Sequence, residues 1–236
     1  MNGATHTVSI VIPTLNEAEC IGTCLEAIAR VRGVSEVIVV DGGSGDMTLD
    51  IARTYPVRLL RAQRGRGSQL HAGANLARGE VLWFLHADVV PPADAIERIL
   101  AALADQTVLG GNCQPVFDGQ SPGAHFLTRL YPHLRRLGLR YGDSGIFVRR
   151  EVYQAVGGFE SLPIFEDLDL IRRLRRQGRF VQLPVKVVAS SRRFEGRSFL
   201  LTFAHWSLLQ VLYWFGVHPH TLDRLYPHVR SARAKP

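Results

Sequence analysis

The sequence predicts an α/β fold with a mostly parallel central sheet and helices on both faces. Three observations carry that expectation. Short β-branched runs alternate with segments of helical apolar spacing through the first half of the chain. Several of those runs end at an acidic or amide residue. Glycines and prolines punctuate the joints. Strands that alternate with helices of this length pair in parallel, because each crossover helix returns the chain to the same sheet.

Val8–Ile12 is a β-branched run closed by Pro13 and reads as a buried strand. Glu17–Arg30 places Ile21, Cys24, Leu25 and Ile28 at helical spacing, and Gly33 ends it. Glu36–Val40 is a second strand, with the Gly42–Asp46 turn after it. Thr48–Thr54 reads as helix and Val57–Arg61 as a third strand. Gln69–Ala77 is a helix of small residues. Val81–Leu85 is a fourth strand. Pro91 and Pro92 open a helix over Ala93–Ala104, since proline is tolerated in a first turn. The second half is less regular. Leu109–Phe117 and Gly145–Arg149 read as strands, and Ser121–Leu139 as largely helical despite Pro132. Glu151–Val156 and Asp167–Gln177 read as helices, and Phe180–Val188 as a strand broken by Pro184.

The chain of 236 residues, 46% hydrophobic and 21% charged, is long enough for one sizeable core and too apolar to be disordered. Three cysteines give an odd count and no disulfide framework, which fits a reducing, cytoplasmic compartment. Cys20 and Cys24 share a helical face and read as core thiols. Met1–Thr7 lacks the basic start and apolar run of a secretory signal. The formal charge is +7, and only Lys186 and Lys235 are lysines. Arginine's planar fork suits phosphate or carboxylate, so nucleic acid, anionic lipid and a nucleotide phosphate all match the charge.

The chemistry concentrates at strand ends. Leu85-His86-Ala87-Asp88 follows the fourth strand, and a carboxylate there can serve a hard divalent ion that also holds substrate phosphates. Asp41 follows four apolar residues and precedes Gly42 and Gly43. It can accept hydrogen bonds from a base or ribose, or build its own turn. Glu166 and Asp167 open a helix. One can cap it, and the other can take a proton from an attacking hydroxyl. Arg64-Gly65-Arg66-Gly67 is a basic loop before a helix and a candidate phosphate contact, but it is neither a P-loop nor a dinucleotide fingerprint. Ligands on such sheets bind beyond the carboxyl ends of the strands, so one crevice can collect Asn16, Asp41 and Asp88.

Taken in order, Val8–Glu17, Val39–Ser44, Arg64–Gly67, Phe84–Asp88 and Glu166-Asp167 resemble family 2 glycosyltransferases, whose fold is called GT-A. The resemblance covers roughly residues 8–195. The Phe84–Asp88 form, with Tyr141–Gly145 and Gly157–Phe159, is similar to a small bacterial subgroup often encoded near radical-SAM proteins. The resemblance implies a nucleotide-sugar donor (a UDP-sugar by default), Mg2+ or Mn2+, a hydroxyl acceptor, inversion at the anomeric carbon and transfer of a single sugar. It does not imply a nucleic-acid partner. It also implies roles. Pro13, Leu15 and Glu17 line the nucleoside pocket, Asp41 holds the base, Asn16 and Ser44 are further nucleotide-sugar contacts, and Arg66 stands near the phosphates. Asp88 binds the metal, with His86 in place of a first acid and in reach of ribose or metal. Asp167 is the general base and Glu166 its neighbour. Asp143 and Arg193 are further donor contacts, and Arg192 is an alternative to Arg193.

This resemblance divides the chain into a GT-A domain over 1–195 and a C-terminal extension over 196–236. Residues 198–222 of the extension contain no Asp, Glu, Lys or Arg and are rich in Phe, Leu, Trp and Tyr. Three placements stay open: a helix on the membrane surface at the inner face of the cytoplasmic membrane, a helix packed on the domain or on a second copy in a homodimer, or a true span. Two other functions compete with sugar transfer. A nucleotidyltransferase would carry a glycine-rich loop where Pro13–Asn16 stands. A membrane-docked nucleotide-binding module with a relic site is kept open by His86.

Overall fold

The β-branched runs become strands because their alternate side chains serve two cores at once. The computed structural model describes residues 6–119, 125–126, 128–130, 144–190 and 199–225. Strand β1 (Val8–Thr14) sends Ile10 and Ile12 to one face and Val11 to the other. Strand β2 (Val34–Asp41) divides Val37 and Val39 from Ile38 and Val40 in the same way. Strand β4 (Val81–Phe84) divides Trp83 from Leu82 and Phe84. Helices α1 (Ile21–Ala29) and α4 (Ala95–Leu103) cover the first face with Leu25, Ile28, Ile96 and Ile99. Helices α3 (Arg66–Leu76), α5 (Arg150–Ala155) and α6 (Glu166–Gln177) cover the second with Leu70, Tyr153, Leu170 and Leu174. Helix α2 (Thr48–Arg53) adds Ala52 to the first face.

The remaining strands are β3 (Arg58–Arg61), β5 (Val89–Val90), β6 (Val108–Phe117), β7 (Ile146–Arg149) and β8 (Arg179–Ala189). One eight-stranded sheet has the order β3-β2-β1-β4-β7-β6-β8-β5. The pairings of β1 with β2 and β4, and of β2 with β3, are parallel. The chain therefore leaves β1 toward one side and returns to its other side with β4. That reversal opens a crevice beyond the carboxyl ends of β1 and β4. The sheet also curls. Strand β5 starts shortly after β4 ends, yet it pairs with β8 at the far end of the order, and Ser190 N donates to Asp88 O at 3.2 Å.

Three expectations are corrected. The sheet is mixed rather than mostly parallel in its second half, because β7 runs antiparallel to both β4 and β6, and β5 runs antiparallel to β8. Helix α3 begins at Arg66, three residues before the expected start at Gln69. Gly65, at φ 139, turns the chain into it. Strand β8 runs through Pro184 unbroken. Its register passes from Asn112 opposite Gln182 to Gln114 opposite Lys186, so the proline falls in a bulge where a missing N–H removes no ladder bond. The helix expected over 121–139 lies largely outside the described residues.

The C-terminal segment forms α7 (Phe199–Trp214) and α8 (Pro219–Asp223). Leu209 and Leu222 pack on Ile164 with Phe165, Leu212, Tyr213 and Val217, so this segment docks on the chain's own domain. Among the described residues no helix is long and apolar enough to cross a membrane.

Gly73 shows how closely α3 lies on the sheet. A Cβ there would come within 2.4 Å of Val11 Cγ1 and 2.8 Å of Val40 Cγ2. Glycine to alanine usually stabilises a helix interior by up to about 1 kcal/mol. Here two stiff, buried β-branched side chains would have to move, and overpacking of that kind costs about 1–3 kcal/mol. Gly73→Ala is therefore expected to lower stability, read as a lower urea midpoint at unchanged m-value.

Candidate functional site

The loops after β1 and β2 form one hydrogen-bonded unit. Asn16 sits in the left-handed region at φ 54, a conformation asparagine tolerates better than most residues. Its Oδ1 accepts from Gly45 N at 2.9 Å, and its own N–H donates to Ser44 Oγ at 2.9 Å. Glu17 N donates to Thr48 Oγ1 at 2.8 Å, and Ala18 N to Asp46 Oδ2 at 3.1 Å. Burial works to raise the Asp46 carboxyl. Hydrogen bonds from Thr48 and Ala18 outweigh it and hold the group below the usual carboxylate range.

Asp41 is fully buried at the base of this unit. Its carboxylate accepts from Gly43 N at 2.9 Å, Ser44 N at 3.0 Å and Ser44 Oγ at 2.5 Å. The aspartate therefore builds the turn that the following glycines permit, and a base reaches it only if that turn opens. Ser44 is the hub between the two loops, since it bonds both Asp41 and Asn16. Gln69, read from sequence only as a helix start, is a second organiser. Its Nε2 donates to Thr14 O and Val40 O, each at 2.8 Å, bridging the carboxyl ends of β1 and β2 from α3. In sequence it stands only as the polar first residue of the expected helix, and apolar periodicity gives no weight to that.

The Arg64–Gly67 segment differs from the flexible loop expected. Gly67 lies inside α3, where a Cβ would sit 2.2 Å from Glu160 O. The glycine lets the start of α3 approach the segment that precedes α6. That approach allows Arg66 to ion-pair with Glu166, which is buried. Arg66 is thus engaged by an acid of α6, although the expectation placed it on the donor's phosphates. The second carboxylate oxygen of Glu166, Oε2, is buried with no partner among the described residues.

Phe165 precedes Glu166 at φ 62, a strained conformation for a bulky aromatic residue. Its ring packs against Tyr213 of α7 with centroids 4.8 Å apart. Asp167 is buried one residue further on, and its Oδ1 accepts from Leu168 N at 2.8 Å. Asp169 is held separately by Arg172 and Arg173.

Beyond β4, past the carboxyl end of that strand, Asp88 is half-buried and His86 is buried. The Cys24 thiol is pushed up by burial and then by the negative charge of Asp88, which places that carboxylate near α1. On β6, beside β7, Asn112 Nδ2 donates to Ser144 Oγ at 2.9 Å, both residues being fully buried. Asp143, Arg192 and Arg193 lie outside the described residues. Pro13 and Leu15 are partly buried at the end of β1, in line with the loop they begin. The structure thus gathers Asn16, Ser44 and Asp41 through loop bonds. It joins Arg66 to Glu166, and it sets Asp88 on the other side of β1 at the same sheet edge.

Among the described residues no group of three or more His, Cys, Asp and Glu forms a metal cage. Asp88 offers one hard oxygen ligand at the crevice. That fits Mg2+ or Mn2+ held jointly by one carboxylate, substrate phosphates and water.

The model of glycosyl transferase family 2 matches residues 9–156. The PGL/p-HBAD biosynthesis glycosyltransferase of Mycobacterium tuberculosis is 32% identical over 205 residues, covering 80% of this chain and 78% of the relative. Glycosyltransferase AglE of Haloferax volcanii is 28% identical over 172 residues, covering 64% and 55%. Among solved structures, the mannosyltransferase PcManGT from Pyrobaculum calidifontis, in complex with GDP-Man and Mn2+, superposes with a TM-score of 0.64 at 24% identity. The match covers 78% of this chain and 56% of that one. Glucosyl-3-phosphoglycerate synthase from Mycobacterium tuberculosis, with Mn2+, UDP and glucosyl-3-phosphoglycerate, gives 0.55 at 21% identity, covering 78% and 71%.

The Arg66–Glu166 pair predicts an asymmetry. Arg66→Met strands a buried carboxylate, which costs about 2 kcal/mol or more. Glu166→Gln leaves a partly exposed guanidinium that water can serve. Thermal denaturation is expected to show the larger Tm loss for Arg66→Met.

Proposed function

Since this chain belongs to glycosyl transferase family 2 and is a glycosyltransferase of GT-A fold, we propose that it moves one sugar from a nucleoside diphosphate donor to a hydroxyl acceptor with inversion. The observation that carries this reading is the ion pair between Arg66 and Glu166. It ties the start of α6, with Asp167, to the sheet edge that also bears Asn16, Ser44 and Asp88.

In this reading the donor's nucleoside lies over Pro13–Glu17 and the Asp41–Ser44 turn, and uridine is the expected base. Asp88, with His86 two residues before it, would hold a divalent ion together with the diphosphate. When bound, such an ion neutralises charge on the departing diphosphate. Asp167 takes the proton of the acceptor hydroxyl. The hydroxyl oxygen then bonds to the anomeric carbon from the face opposite the leaving group. The bond from that carbon to the diphosphate oxygen breaks, and the electron pair leaves with the nucleoside diphosphate. Glu166 does not meet the proton. Held by Arg66, it fixes the helix start from which Asp167 projects. Asp143 and Arg193 are proposed as further donor contacts.

A nucleoside diphosphate with Mn2+ is expected to raise Tm, because a ligand bound only by the folded state stabilises it. Asp167→Asn should keep that shift and lose about 10²–10⁴-fold in transfer. Unchanged turnover in that variant removes Asp167 from the base role.

The outward face of α7 supports a further part of the proposal, contact with an anionic membrane surface. Leu201, Ala204, Leu208, Val211 and Phe215 recur at spacings that keep one helical face, and all are exposed, Leu201 at 74% and Phe215 at 85%. No acidic residue occurs in 198–222 to repel anionic lipid. The protein is expected to sediment with phosphatidylglycerol vesicles at low salt, and Phe215→Asp to sediment less. Wild-type protein left in the supernatant overturns this contact.

A further inference from the structure

Phenylalanine is an unexpected residue at the point where the chain turns into α6. Phe165 sits at φ 62 and ψ 18, in the left-handed region, and no side chain caps the helix there. Glycine or asparagine adopts that conformation at lower cost. A phenylalanine in its place implies a use for the ring. The backbone depends on this geometry. Phe165 O accepts from Asp169 N at 3.0 Å, the first bond of the helix, and Glu166 and Asp167 follow directly. Relaxation of Phe165 to negative φ would redirect its carbonyl, its ring and both acids together.

The ring meets the end of α7. It packs on Tyr213 with centroids 4.8 Å apart and planes inclined by 32°. Tyr213 is itself fixed. Gly216, at φ 85, closes α7, with Gly216 N donating to Tyr213 O and Val217 N to Leu212 O, each at 3.0 Å. Those bonds, with Leu212 and Val217 in one apolar cluster, lock the last turn of the helix. Leu209 and Leu222 pack in the same cluster on Ile164, the neighbour of Phe165. Among the described residues the Tyr213 hydroxyl makes no hydrogen bond, so the ring carries the contact. Burial raises the phenol, Arg172 opposes that, and Asp169, Asp167 and Glu160 add to it, so the ring lies within electrostatic reach of the start of α6.

We infer that Tyr213 is a positioning residue: its ring holds Phe165 in the left-handed conformation that aims Asp167, and it acts on the reaction only through that contact. The inference rests on the sugar-transfer reading, with Asp167 as base, and adds to it a residue of the C-terminal segment. Arg66 grips Glu166 from α3, and Tyr213 grips Phe165 from α7. The backbone that leads to Asp167 is thereby held by two elements remote from each other in sequence.

The test uses the full-length chain with Mn2+ and a panel of UDP-glucose, UDP-GlcNAc and GDP-mannose. Water stands in for the acceptor hydroxyl, and release of the nucleoside diphosphate is followed. Tyr213→Ala is expected to lower kcat about 10²-fold, the cost of a group misplaced by about an ångström. KM for the donor should stay within about twofold, since the donor contacts are untouched. Tyr213→Phe keeps the ring and should keep the rate. In a Phe165→Gly background, where glycine takes positive φ without a brace, Tyr213→Ala should cost less than about threefold. Crystal structures give a readout that needs no turnover. In Tyr213→Ala, Phe165 should leave positive φ and the Asp167 carboxylate should move, and in Tyr213→Phe both should stay. Phe165 and Asp167 unmoved in Tyr213→Ala overturn the inference. So does an equal loss of kcat in both backgrounds, or a loss in Tyr213→Phe as large as in Tyr213→Ala. Asp167→Asn separates the two readings. If that variant loses turnover while Tyr213→Ala keeps it, only the positioning role fails. If Asp167→Asn turns over like the wild type, the base assignment falls and the positioning role falls with it.

Discussion

A guanidinium and a carboxylate 100 residues apart hold the site in one piece. Arg66 opens the helix that follows β3, and Glu166 opens the helix that precedes β8. Their pairing is a charged link between the two helix starts on the second face of the sheet. Burial sharpens the demand. A carboxylate with almost no exposed surface is tolerated only beside a compensating charge, and Arg66 is the residue that supplies it. The contact also needs room, which Gly67 provides by letting the helix backbone come up to Glu160 O. The basic, glycine-rich segment is therefore architectural as much as electrostatic.

The strain at Phe165 belongs to the same arrangement. A bulky residue at positive φ costs on the order of 1–3 kcal/mol and persists only where its surroundings over-determine it. Two supports are visible. The ring stacks on Tyr213, and the next residue is held by Arg66. The C-terminal helix is thereby joined to the acidic pair. A segment that reads in sequence as an appendage braces the residue before the proposed base.

In the loops after β1 and β2, the proposed donor side, the organisation is backbone-centred. Ser44, Asn16, Asp46 and Gln69 hold main-chain groups of neighbouring loops and strand ends. If a nucleotide binds there as proposed, loops already tied together in this way limit the ordering cost of binding. Asp41 illustrates the difference between a motif and its geometry. Its position after a buried strand is the expected one, yet its oxygens are occupied by Gly43 and Ser44.

The alternation of apolar residues in β1, β2 and β4, and the helical spacing of α1, α4 and α6, were legible from the chain alone, because strand and helix periods are local properties. So were the acids at strand ends, since chain order puts them on one sheet edge. Tertiary structure decided what no local period encodes. The antiparallel β7 and the curl that brings β5 to β8 depend on pairings between distant segments. The partner chosen by Arg66 depends on which helix start is packed against it. The docking of α7 on Ile164 and Phe165 depends on which of its two apolar faces finds a partner. Apolar composition sets how much surface must be covered, and only the packed chain determines what covers it.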